Sequence, residues 1–126
     1  MSYMLLIHEP VGQRAERTET EGRALYDRML QWGGGLHAKG VLTAGESLAD
    51  ASRGTRVQVR AGRTQLLDGP FAEAKEMVGG FFLLDVATRE EALTIAASCP
   101  AAQWATVEVR EVAPCWVGSA AAALAD

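Results

Sequence analysis

At 126 residues and 13.4 kDa the chain has the length of one domain, enough to bury a core without disulfides or structural metals. Its 48% apolar and 22% charged residues exclude a disordered composition. A net charge of −4, with 12 Lys and Arg scattered along the chain, gives no basic stripe for nucleic acid or an anionic membrane surface.

The opening "MSYMLLIHEP" holds too short an apolar run, with no preceding charge, for a signal peptide, and no segment is long enough to span a bilayer. Cys99 and Cys115 fit no metal spacing, so the expectation is a cytoplasmic domain with both thiols reduced and neither metal nor cofactor. Tyr3 to His8 reads as a central strand apolar on both faces. After a polar stretch from Glu9 to Thr20, "TETEGRALYDRMLQW" offers Thr18 with Glu21 three residues on, a capping box. Leu25, Met29, Trp32 and Leu36 then mark one helical face, and Gly40 after Lys39 is a natural C-terminal stop. Gly33 to Gly35 interrupt that helix at a cost of roughly 3 kcal/mol relative to alanine. They predict either a break or another backbone packed close.

"VLTAGESLADASRGT" reads as a loop-rich return, and Val57 to Leu67 as a hairpin turning at Ala61-Gly62. In "DGPFAEAKE", Asp68 opens a turn and Pro70 suits the first position of a short helix, with Phe71, Ala74 and Val78 on one side. "GGFFLLDVA" is a strand. "TREEALTIAASCP" is a helix with a second capping box, Thr88 and Glu91, and a stripe of Ala92, Ile95, Ala96 and Cys99. "ATVEVREVAP" alternates, with Val107 and Val109 against Glu108 and Arg110. Residues 1–117 form the domain and 118–126 a flexible Ala-rich tail.

This order predicts an α+β, ferredoxin-like split βαβ arrangement, an antiparallel sheet with both helices on one face. Since "YMLLI" and "FFLLDV" are apolar on both sides, the uncovered face predicts a homodimer, with a cavity enclosed between two facing sheets.

"LLDGPFAEAKEMVGGFFLLDV" resembles the signature of the DGPF-domain family, a branch of the YCII-related proteins. "YMLLI", "GVLTAGESL", "VQVRAGRTQLLDGP" and "CPAAQWATVEVREV" sit where that family has comparable stretches, so the resemblance spans nearly the whole chain except the tail. It implies a dimeric α/β barrel of ferredoxin-like units. Activity in the family is largely unassigned; some members occur beside extracytoplasmic-function sigma factors, and relatives are suspected enzymes. Relatives with a proposed active site resemble one another in a first-helix His paired with an Asp in a "DP" motif after the second helix. Here Arg28 stands near the first position and Ser98-Cys99-Pro100 at the second, and His37 falls about two and a half turns late. That dyad does not carry over.

Two functions follow. One is a homodimer that binds a small, partly apolar molecule, acidic or neutral, between its sheets, with cofactor-free proton transfer by Asp68, Glu73, Lys75 or His8. Of these, Lys75 is the better functional candidate and Asp68 a turn-forming residue whose carboxylate accepts downstream backbone N–H groups. Arg110, Phe71 and Lys75 are the ligand-binding candidates, Arg110 because a guanidinium orients a carboxylate. The other is a non-catalytic regulatory or interaction module, linked through the resemblance to a sigma-factor system, that presents the DGPF segment and Trp116 to a protein partner.

Overall fold

Strand β1, Ser2–Pro10, turns Tyr3, Leu5, Ile7 and Glu9 to a buried face and leaves Met4, Leu6 and His8 half-buried on the other. The computed structural model describes residues 1–118, so the Ala-rich tail expected at 118–126 lies outside the described residues except for Gly118. Helix α1, Glu19–Ala38, starts from the Thr18–Glu21 capping box, with the two reciprocal bonds at 3.1 and 2.9 Å. It ends at Lys39 and Gly40, whose φ of 74° is the left-handed conformation that suits glycine. Strand β2, Leu42–Ser47, follows, and a hairpin of β3, Thr55–Arg60, and β4, Arg63–Asp68, leads into β5, Glu76–Asp85. Helix α2, Arg89–Ser98, is capped by Thr88, and β6, Thr106–Glu111, completes the order.

The main sheet runs β2-β5-β1-β6, each strand antiparallel to its neighbours. Its buried side packs Tyr3, Leu5 and Leu84 against Leu36 of α1 and Ala92 and Ala96 of α2. This is the expected ferredoxin-like α+β fold. Trp32 ties the two helices to the sheet. Its ring meets Phe82 of β5 edge-on with centroids 5.0 Å apart, and its Nε1 donates to Ser98 Oγ at 3.0 Å.

Three local expectations need correction. The second sheet strand lies inside the segment read as loop: β2 is an edge strand paired only with β5, and "LTAGES" lacks the β-branched and aromatic density that signals a strand. The hairpin instead stands apart as a separate two-stranded sheet, with every residue of both strands exposed. Its turn is as expected, since Ala61 and Gly62 both have positive φ, 51° and 75°. No helix forms after Pro70: the Gly69-Pro70 peptide is cis, and the segment closes as a single turn, with Ala74 N–H donating to Phe71 C=O at 3.0 Å. Val78, expected on that helix, belongs to β5.

Asp68 is bound differently from the expectation. Its carboxylate accepts the Thr55 hydroxyl at 2.8 Å across the base of the hairpin, while Gly69 N–H donates to Gly54 C=O at 2.8 Å. A Cβ at Gly69 would fall on the Ala51 carbonyl, so the chain passes there without a side chain. Asp68→Ala should therefore lower stability by about 1 kcal/mol, the net worth of one such hydrogen bond. Thr55→Ala should cost about the same, and the double variant little more than either. Denaturant unfolding checks this, and full additivity would show that the two side chains do not act as a pair.

Candidate functional site

A cavity of about 580 Å³ opens between α1 and the helix-facing side of the sheet. Ile7, Leu25, Met29, Phe82 and Trp104 supply apolar walls, and Tyr26 and His37 reach it from α1. Glycines line it on both sides. Gly33 and Gly34 form part of the helical wall, and Gly45, Gly79 and Gly80 line the sheet side. The expectation for Gly33 to Gly35 therefore fails in both its forms: α1 runs through them unbroken, and a Cβ at Gly34 or Gly35 would meet nothing within 4 Å. At Gly33 the nearest atoms are side chains, Phe82 at 3.6 Å and Leu42 at 3.9 Å, which is ordinary contact.

At one end of the cavity lies a buried ion pair. Glu9 is 6% exposed, and both of its carboxylate oxygens accept from Arg14, from Nε at 3.0 Å and Nη2 at 2.7 Å. Arg14 also donates to the carbonyls of Leu48 at 2.8 Å and Gly79 at 3.3 Å. Its guanidinium is held above its ordinary pKa by the hydrogen bonds to Glu9, against burial that acts the other way, with the charges of Glu9 and Asp50 adding to the rise. A Cβ at Gly79 would fall on the Glu9 carboxylate, so the pair occupies the space that glycine leaves.

Trp104, which follows the turn after α2, carries two cations. Arg17 lies 5.9 Å and Arg28 5.4 Å from its ring centroid. The backbone carbonyl of Trp104 accepts from Gln13 Nε2 at 2.7 Å, which fixes the ring's place beside the segment that carries Arg14 and Arg17.

The residues singled out in the sequence fall elsewhere. His8, Glu108 and Arg110 come together on the uncovered face of the sheet, where Glu108 binds His8 Nε2 at 2.6 Å and Arg110 at 2.6 and 2.9 Å. Phe71 sits at the base of the hairpin beneath Arg56, whose guanidinium carbon is 3.8 Å from its ring centroid. Glu73 and Lys75 are exposed in the turn, and the Lys75 carbonyl accepts Val11 N–H at 2.9 Å. None of His8, Asp68, Phe71, Glu73, Lys75 and Arg110 lines the cavity under α1. Cys99 is buried, which pushes its thiol pKa up, and Cys115 is exposed; both are free. Among the described residues no group of three or more His, Cys, Asp or Glu is placed to hold a metal ion, and no helix is long and apolar enough to cross a membrane.

Sequence reading missed Glu9, Arg14, Arg17, Tyr26 and Trp104. For Glu9 a signal existed, because the parity of Tyr3, Leu5 and Ile7 continues to residue 9 and puts a carboxylate on the core face. For Arg14 and Trp104 none did, since turns set their positions.

The model of the YCII-related domain matches residues 1–115. The chain belongs to that family. A stretch of 36 residues is 56% identical to an uncharacterized protein of Rhizobium meliloti (strain 1021), a match that spans 29% of each chain. Among solved structures, the 5-chloro-2-hydroxyhydroquinone dehydrochlorinase TftG of Burkholderia phenoliruptrix AC1100, in complex with 2,5-dihydroxybenzoquinone, superposes with a TM-score of 0.52 at 16% identity. The match covers 89% of this chain and 93% of that one, and shows a shared fold. In this YCII-related chain, the position where the resemblance places a His holds Arg28, one of the two cations on Trp104.

Two measurements probe these charges. Arg14→Ala leaves the Glu9 carboxylate buried without its partner and should cost about 3–5 kcal/mol, and Gly79→Ala should destabilise severely because the carboxylate has nowhere to move. Gly34→Ala, facing open space, should instead stabilise by somewhat under 1 kcal/mol. Unfolding midpoints that ranked the three otherwise would remove the ion pair's structural role. The second concerns acid. Hydrogen bonds from Arg110 and then His8 lower the Glu108 pKa. Its stabilising contribution is then complete above the ordinary carboxylate range and is lost as pH falls through the depressed folded value. Glu108→Gln should flatten that part of the stability–pH curve, and an unchanged slope would refute the coupling.

Proposed function

We propose that the protein binds a small, largely apolar molecule in the cavity beneath α1 and acts as a homodimer joined through the uncovered sheet face. The observation that carries the first part is the cavity itself, largely apolar on its walls, open beside Gly34, and of the volume that small-molecule sites have. A single six-membered ring such as 2,5-dihydroxybenzoquinone, the ligand of the TftG complex, is well within that volume. Glu9 has both oxygens bound by Arg14, so any proton transfer at this site rests on His37 and Tyr26 of α1 or on Glu46 of β2, the other acid–base side chains of the lining. No cofactor is needed for such chemistry. The dimer is supported by Met4 and Leu6 of β1 beside Leu83 and Phe81 of β5, an apolar row that neither helix covers. Two free thiols support a reducing, cytoplasmic setting.

A second reading has its own observation. Val57, Val59 and Leu66 share one face of the exposed hairpin, and Trp116 is also exposed, so a surface for a protein partner exists outside the cavity.

Titration with 2,5-dihydroxybenzoquinone, followed by its visible absorbance, tests the cavity. Gly34→Leu should keep the fold and weaken binding by about tenfold or more, because the new side chain fills the space. Wild-type protein that does not bind, or a variant that binds as well, would overturn the reading. Light scattering should return about twice 13.4 kDa, and Leu83→Lys should return the monomer. A wild-type monomer would remove the dimer.

A further inference from the structure

We infer that Arg17 and Arg28, converging on Trp104, read a negative charge on the ligand, so that the cavity selects a small aromatic anion over its neutral analogue. The inference rests on the cavity being the ligand site and adds the ligand's class.

Arg17 lines the cavity, Arg28 meets the Trp104 ring that also lines it, and neither arginine is neutralised. Arg14 is matched by Glu9, with both carboxylate oxygens engaged. Glu46 lines the cavity from β2, opposite Phe81 in the register, and forms no ion pair with either arginine. Among the described residues neither Arg17 nor Arg28 has a carboxylate within ion-pair distance. Glu21 does feel the charge of Arg17, but its carboxylate is held by Thr18 in the capping box. Arg28 has no acidic residue three or four positions away along α1, where a helical partner would stand.

Two guanidinium groups of like charge lie within 6 Å of the centroid of one indole ring, with no carboxylate between them. An anion beside them adds an attraction to each. Arginine is suited to this, since its planar fork donates in parallel to a carboxylate or to adjacent ring oxygens. Trp104 itself lines the cavity together with Arg17, so an apolar ring in the cavity can place its charged substituent at this end. The backbone of Trp104 is tied on both sides, because its N–H donates to the Ala101 carbonyl at 3.1 Å and its carbonyl accepts from Gln13.

Calorimetric titration with 4-hydroxybenzoate and 4-hydroxybenzamide separates charge from shape, because the two share ring and size. The benzoate should bind about tenfold tighter, the value of one charge-assisted contact over a neutral one. That margin should shrink with added salt, close in Arg17→Gln and in Arg28→Gln, and partly return in Arg28→Lys. Equal affinities in wild type would overturn the inference and leave the cavity reading standing. A margin that survives both Gln variants would overturn the assignment to these residues. Binding of neither compound would overturn both readings. The salt dependence in wild type decides the matter even where a variant fails to fold.

Discussion

A carboxylate that ends a strand on its core face must find a partner before the chain can close over it, and in this fold that requirement is met by Glu9 and Arg14. The guanidinium takes both oxygens of Glu9 and then the carbonyls of Leu48, just past β2, and Gly79, in β5. One side chain thereby joins three strands where backbone bonds, Leu48 N–H to the Gly79 carbonyl and Val11 N–H to the Lys75 carbonyl, already meet. Burying such a pair is not in itself stabilising compared with a well-packed apolar contact, but removing either half would leave an uncompensated charge. The arrangement is an all-or-none device: it specifies where the strand ends meet, and it demands glycine at position 79.

The same demand shapes the cavity. An α-helix on a sheet ordinarily fills the layer between them with side chains, at the density of an organic crystal. Here Gly33 and Gly34 line the cavity from α1, and Gly45, Gly79 and Gly80 line it from the sheet, where a Cβ would meet Phe82, the Glu9 carboxylate and the Glu46 carbonyl. The helix loses propensity at three successive positions and keeps its hydrogen bonds because its N-terminus is capped and Leu36 and Trp32 anchor it on either side. The sheet glycines thus admit neighbouring protein atoms, and Gly34 is the lining glycine beside which the volume stays open.

The elements with a periodic signature were legible. Both helices begin at the Thr residues that announce them, α1 with the full box and α2 with half of it, since the Glu91 carboxylate accepts Ala87 N–H; β1 and β6 show their alternation, and the Ala61-Gly62 turn falls where two left-handed residues require it. Strand β2 was not, because an edge strand with one paired side carries little apolar pattern. The site was less legible than the fold. Parity aligns His8 with Met4 and Leu6 on β1, and Glu108 with Arg110 on β6, yet the cavity opens on the opposite face of the sheet. That cavity is made of missing side chains and of turns, and neither leaves a periodic trace. The Gly33–Gly35 run was visible as an anomaly, but a sequence cannot distinguish a glycine that admits another backbone from one that admits a ligand.

Near the two positions where the family resemblance expects the His and Asp of a proposed active site, this chain carries other chemistry. Arg28 replaces the imidazole with a group that stays protonated through any physiological pH, so it can attract an anion but cannot accept a proton from it. At the other position Ser98 is committed twice, accepting from Trp32 Nε1 and donating to the Ile95 carbonyl, and the neighbouring Cys99 thiol is pushed by burial away from its reactive form. Neither group can replace a carboxylate base. If the cavity binds as proposed, Arg28 beside Trp104 offers charge recognition without proton transfer, and acid–base chemistry there would run through His37, Tyr26 or Glu46, which line it. Such chemistry would be separable from the architecture of the cavity, because the Glu9–Arg14 pair that closes one end engages none of those three side chains.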